Sequence, residues 1–147
     1  MKIASLVPEY VELLPPELQD GKLYISKKYG TAGHRCGCGC GTKIVTPLKP
    51  TDWRLIEAGG RVSLSPSVGN WNHPCQSHYI IRNNMAIKAG PMTRGEIAYG
   101  RALNEAAKRT HGKERTVHQL SPQDGKPAQL QKGWLEAFKR WALKILG

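Results

Sequence analysis

Along residues 21–90 apolar and polar positions alternate over short stretches cut off by turn residues, a pattern of strands rather than helices. Lys22-Leu23-Tyr24-Ile25-Ser26 follows the turn pair Asp20-Gly21, and Thr42 to Pro47 is a β-branched run that ends at proline. Trp53 to Glu57 leads through Gly59-Gly60 into Arg61-Val62-Ser63-Leu64-Ser65, which alternates with a period of two. Two runs joined by Gly-Gly predict a hairpin. His78 to Arg82, Asn83-Asn84 and Met85 to Lys88 predict another. Large apolar residues are too few for a core of this size to hold by burial alone, and such domains commonly need a staple such as a metal.

After Gly90-Pro91 the pattern changes. Thr93 with Glu96 has the spacing of a capping box, and the Ala-rich stretch to about Arg109 favours a helix. Residues 110–128 are polar and read as a linker. A second helix is predicted from about Pro127 to Leu146, because Leu130, Trp134, Phe138, Trp141 and Ile145 form one stripe of a 3.6-residue period. The expected fold is mainly β with C-terminal helices (α+β): a small, metal-stapled antiparallel β domain over residues 1–90, then a basic extension of two helices over residues 91–147.

Composition adds one unusual fact. Against 11 acidic residues stand 22 Lys and Arg, a formal charge of +11 in 147 residues whose mean hydropathy is −0.46. That excludes an acidic disordered chain, and no apolar run is long enough for a membrane span. Pro8, Glu9 and Glu12 interrupt any apolar secretory stretch, so a cytoplasmic location is expected. The charge is unevenly spread: residues 1–90 carry 11 basic and 6 acidic residues, net +5, and residues 91–147 carry 11 and 5, net +6.

All four cysteines lie in the β region. Cys36, Cys38 and Cys40 alternate with glycines, and Cys75 follows Pro74. A disulfide between alternate residues is strained and a reducing compartment disfavours it. Alternating thiolates on a glycine-spaced extended backbone instead converge on one point, which suits one structural zinc per chain in a tetrahedral four-cysteine site. His78 is an alternative ligand. With four thiolates the site is closed; with three, a position opens for exchange.

His34, Ser67, Asn70, His73, Ser77 and His78 surround this cluster in sequence. A metal shared by Cys36 and Cys75 draws the segments of His34 and Ser77 together, and a serine beside an imidazole can form a nucleophile–base pair. The competing reading has Ser77 and His34 merely hydrogen-bonding the loop.

Several motifs, in order, carry a resemblance: Gly30-Thr31-Ala32-Gly33-His34-Arg35-Cys36-Gly37-Cys38-Gly39-Cys40-Gly41; Val45-Thr46-Pro47-Leu48 with Thr51-Asp52-Trp53; Ser65-Pro66-Ser67-Val68-Gly69-Asn70-Trp71; and Pro74-Cys75-Gln76-Ser77-His78-Tyr79-Ile80-Ile81-Arg82. Over about residues 12–90 the chain resembles a bacterial family of small zinc-cysteine proteins. Some of these are encoded beside ubiquitin-like (Bub) conjugation operons with E1-like and E2-like proteins. The resemblance implies a serine peptidase that matures or removes a ubiquitin-like protein. It also implies Ser77 as nucleophile, His34 as base with His78 as the alternative, and Cys36, Cys38, Cys40 and Cys75 on zinc. The basic region after Gly90 is not matched along its length by this resemblance.

A different class of function competes: a zinc-stapled nucleic-acid-binding module, in which the charge does the binding and Trp53, Trp71 or Tyr79 stack bases. The cations form no run, however, and no nucleic-acid motif is present. The last helix could also lie on an anionic membrane, although packing of its apolar stripe is the more common use of such a pattern.

Overall fold

The computed structural model describes residues 5–120. Eight strands precede one helix: β1 (Val7–Tyr10), β2 (Lys22–Ser26), β3 (Thr31–Arg35), β4 (Lys43–Pro47), β5 (Arg54–Ala58), β6 (Arg61–Gly69), β7 (His78–Arg82), β8 (Met85–Lys88) and α1 (Arg94–Leu120). The strands form two four-stranded sheets in the orders β1-β2-β3-β4 and β5-β6-β7-β8.

The two predicted hairpins are present for a stereochemical reason. Gly59 and Gly60 have φ of 55° and 71°, and Asn83 and Asn84 have 49° and 66°. Two consecutive left-handed residues make the turn whose twist matches antiparallel strands, and glycine and asparagine reach that region most cheaply. Asn84 does more than turn the chain. Its Oδ1 accepts from the Val62 amide at 2.7 Å, its own amide donates to the Val62 carbonyl at 2.9 Å, and its carbonyl accepts from Leu6 at 2.6 Å. Together with a bridge between Ser5 and Met85, these bonds join the start of the chain to the second sheet.

The β region is not wholly antiparallel as expected. β1 runs parallel to β2, Val7 beside Lys22 and Tyr10 beside Ile25. Residues 11–21 are long enough to carry the chain back to the starting end of its neighbour, which a tight hairpin cannot do.

Leu23, Ile25, Ala32 and Ile44 from the first sheet share one buried cluster with Val62, Leu64, Val68, Tyr79, Ile81 and Ala86 from the second. Alternation along β7 buries Tyr79 and Ile81 and leaves His78 and Ile80 half-buried on the other face. On the adjacent strand the register slips: Leu64 pairs with Ile81 and Val68 with Tyr79, so β6 advances four residues while β7 advances two. The resulting bulge, Ser65 to Ser67, bends β6 beside His78, as bulges near functional sites commonly do.

Thr93 and Glu96 form the expected capping box. The Glu96 amide donates to Thr93 Oγ1 at 3.2 Å, and Glu96 Oε2 accepts from the Thr93 amide at 2.7 Å. The predicted linker is corrected in its first part, because α1 continues through Leu120. Lys113, Glu114, Arg115 and Gln119 are good helix formers, and a single Gly112 costs only about 1 kcal/mol relative to alanine. The second predicted helix, with Leu130, Trp134, Phe138, Trp141 and Ile145, lies outside the described residues. Contacts divide the chain between Arg109 and Thr110, so the first part of α1 belongs with the sheets. Among the described residues no helix is long and apolar enough to cross a membrane.

Candidate active site

The sulfurs of Cys36, Cys38, Cys40 and Cys75 all lie within 4.8 Å of one another. Cys36 Sγ is 3.4 Å from Cys38 Sγ and 3.9 Å from Cys75 Sγ. Four sulfurs about 2.3 Å from a tetrahedral ion stand roughly 3.8 Å apart, so the cluster can hold a metal. Local backbone produces this. The Cys36 amide donates to the Thr42 carbonyl at 2.7 Å, folding the cysteine–glycine segment back on itself. Gly39 and Gly41 supply the positive φ of 87° and 81° the fold-back needs. Cys75 arrives on a loop closed by the Asn70 amide on the Ser77 carbonyl at 2.9 Å. Hydroxyls support the outer sulfurs: Thr42 beside Cys40 lowers that thiol to about 6, and Ser77 beside Cys75 lowers that one too.

Ser77 belongs to this cluster. Its Oγ accepts from the Asn70 carboxamide at 2.8 Å and lies 3.1 Å from Cys36 Sγ and 3.5 Å from Cys75 Sγ. The same carboxamide reaches Cys36 Sγ at 3.3 Å. Ser77 is only 8% exposed.

His34 is on β3, fully buried, with Nε2 2.8 Å from the Tyr79 hydroxyl and its ring edge-on to that phenol. Burial pushes its pKa down to about 4, so the ring is neutral, and burial likewise raises the Tyr79 phenol. The hydrogen bonds of His34 and Ser77 go to different partners, and the structure does not pair them. The His34–Tyr79 bond sits in the core, where an orphaned polar group costs about 1–3 kcal/mol. Tyr79→Phe is therefore expected to lower unfolding stability by about that amount in urea titrations, with metal content unchanged.

A serine and a histidine do meet elsewhere. Ser67 Oγ lies 2.9 Å from His78 Nε2, and His78 Nδ1 lies 2.8 Å from the Gly90 carbonyl oxygen. A carbonyl can only accept, so Nδ1 carries the proton and donates it. Nε2 is left with its lone pair facing the serine hydroxyl, which donates to it. The Trp71 indole packs 5.0 Å from the imidazole, ring centre to ring centre. It also packs against Gly69, where a Cβ would overlap the indole. Ser67, His78 and Trp71 line an open cleft of about 490 Å³, with Trp53 and Asn72 on the β side and Ile97, Gly100 and Arg101 on α1.

The chemistry present is thus a thiol cluster beside a serine–imidazole pair at a cleft. Residues 10–88 match the family described as bacterial ubiquitination-like system serine protease (BubE). The chain belongs to this family. The BubE match runs from the last residue of β1 through β8. It therefore takes in the four cysteines, His34, Ser67, Ser77 and His78, and leaves α1 outside. No curated protein and no solved structure matches the chain. The sequence itself places Ser67 only near the cysteine cluster. The signal that would have raised it is the alternation of β7, which turns His78 away from the core while Tyr79 enters it.

Proposed function

We propose that the chain is a serine peptidase that processes or deconjugates a bacterial ubiquitin-like protein, with Ser67 as nucleophile and His78 as general base. One observation carries this reading: among the described residues, Ser67 is the serine whose hydroxyl bonds an imidazole, and that imidazole lines a cleft with its second nitrogen held by the Gly90 carbonyl. In the reaction Ser67 Oγ attacks the scissile carbonyl carbon as its proton passes to His78 Nε2. Collapse of the tetrahedral intermediate breaks the C–N bond, and the imidazolium returns the proton to the leaving amine. Water, deprotonated by the same nitrogen, then hydrolyses the acyl-serine. Gly90 keeps the imidazole in the tautomer this needs, acting through its backbone.

Cys36, Cys38, Cys40 and Cys75 hold a structural zinc in this reading. These four cysteines would hold it as a structural staple between the Cys36–Cys40 segment and the loop before β7. Ser77 and Asn70 support its sulfurs, as outer-shell groups do around metal sites. The family's description supports a ubiquitin-like protein as the partner class, and this reading adds its conjugates and the E1-like and E2-like enzymes that would make them. The net charge of +11 suits a partner of opposite sign.

The direct test is covalent. Incubation with a fluorophosphonate, then peptide mass spectrometry, is expected to place the adduct on Ser67. An adduct on Ser77, or none in protein that cleaves a ubiquitin-like protein extended past its terminal glycine, would overturn the assignment.

A further inference from the structure

The cleft is made by two parts of the chain. Its β wall comes from residues inside the family match, and its other wall from Glu96, Ile97, Gly100, Arg101 and Asn104 of α1, outside that match. α1 is held there by polar bonds. Arg101 Nη2 donates to Asn72 Oδ1 at 2.9 Å, and Lys108 Nζ pairs with Asp52 at 2.9 Å.

The charges along the cleft are not equivalent. Asp52 is neutralised by Lys108, its carboxylate side chain only 9% exposed. Glu96 is committed to the helix cap through the Thr93 amide and hydroxyl. Arg101 differs: its guanidinium is oriented by a neutral carboxamide, and among the described residues it has no carboxylate within ion-pairing distance. An oriented guanidinium retains most of its five donors and its full charge, and its fork matches a carboxylate. Beside it, Gly100 leaves room. A Cβ there would meet nothing within 4 Å, so one turn of the helix presents a notch rather than a side chain.

We propose that α1 is the specificity wall of the cleft, with Arg101 binding a carboxylate of the peptide substrate while Gly100 leaves space for its backbone. The inference rests on the reading of Ser67 and His78 as the catalytic pair. The carboxylate has two chemical sources: the free C-terminus of a short tail beyond the scissile bond, or an acidic side chain near that bond. Arg101 does no chemistry and acts on binding.

The test uses fluorescent peptides with a Gly-Gly pair before the scissile bond in three forms. One has a free C-terminal carboxylate, one a C-terminal amide with an aspartate in the tail, and one the amide with asparagine in its place. Dissociation constants are measured on full-length Ser67→Ala protein, so binding is read without turnover, and on the same protein carrying Arg101→Ala or Arg101→Lys.

Arg101→Ala is expected to weaken one or both carboxylate peptides by about tenfold, the effect of one charge-assisted hydrogen bond, and to leave the amide–asparagine peptide unchanged. Which peptide responds identifies the source, and Arg101→Lys should recover part of the loss. Equal weakening of all three peptides, or of none, would overturn the proposal. Gly100→Phe gives an independent check. It removes a helix-weakening glycine, so the fold should be retained, while the notch is filled and all three peptides should bind several-fold more weakly. Unchanged binding in Gly100→Phe would place the peptide elsewhere. Failure of the catalytic assignment registers separately, as cleavage of these peptides by Ser67→Ala protein.

Discussion

Ser67→Ala should lower kcat for cleavage of an extended ubiquitin-like protein by at least about a thousandfold, with the thermal transition and metal content unchanged. The size follows from the mechanism. Without Oγ there is no acyl-enzyme, and His78 has no hydroxyl to activate. The small effect on stability is expected because Ser67 is half-buried on the bulged segment of β6 and, among the described residues, its hydroxyl bonds His78 alone. His78→Ala should cost a similar factor, because a nucleophile and base of the proposed kind act as one unit and their losses do not add. Ser77→Ala is the informative comparison. It removes the hydroxyl between Asn70 and two cysteine sulfurs, so it should weaken metal retention while leaving kcat of the loaded protein within about tenfold. Loss of kcat in Ser77→Ala with full metal content and a native transition, together with a fully active Ser67→Ala, would reverse the assignment. His34→Ala does not discriminate: it empties a fully buried position beside Tyr79 and would reduce activity through the fold.

What separated the legible from the illegible was range. The Gly59-Gly60 and Asn83-Asn84 turns act over two residues, and both hairpins follow from the sequence. β2 was equally plain, because a turn pair precedes an alternating apolar run. β3 was not, since Thr31-Ala32-Gly33-His34-Arg35 contains one β-branched residue and a glycine; it is a strand because β2 and β4 pair with it on both sides. β1 depends on a parallel pairing whose register nothing local announces. The cysteines were readable as a group because alternation and glycine spacing are local signals, and their sulfurs do converge.

The pairing of side chains within the site was harder. Proximity in sequence to Cys75 points to Ser77, but the loop closed by Asn70 turns that hydroxyl into the thiol cluster. The bulge in β6 meanwhile brings Ser67, ten positions before Ser77 in the chain, against His78. The start of α1 was legible from its capping box. Its continuation past Arg109 was not, because a polar stretch of Lys, Glu and Arg has the composition of a linker and the propensity of a helix.

Metal removal should have a different signature from Ser67→Ala: loss of activity together with loss of the fold. The purified protein is expected to carry about one zinc per chain, measured by inductively coupled plasma mass spectrometry. Binding to a structural four-thiolate site is worth about 10–16 kcal/mol, whereas a domain of this size has only about 5–15 kcal/mol of stability in total. Chelation should therefore abolish the cooperative thermal transition, and zinc added to the reduced protein should restore it. The geometry explains why the loss is global. The cluster brings the fold-back after β3 against the loop before β7, so a metal held there would join the first sheet to the second at the end that carries Ser67 and His78. Cys36→Ser should be the most damaging single substitution, since Cys36 is the buried cysteine of the four and its sulfur also meets Ser77 and Asn70. Cys40→Ser, at the exposed corner, should cost less. Cobalt reconstitution provides the decisive contrast. A closed site contributes no reacting group, so the cobalt protein should show thiolate-to-metal absorption and keep kcat within a fewfold of the zinc protein. A metal-free protein that melts as the native one does would remove the staple from the account. A kcat that tracks the identity of the metal would transfer the chemistry from Ser67 to the ion.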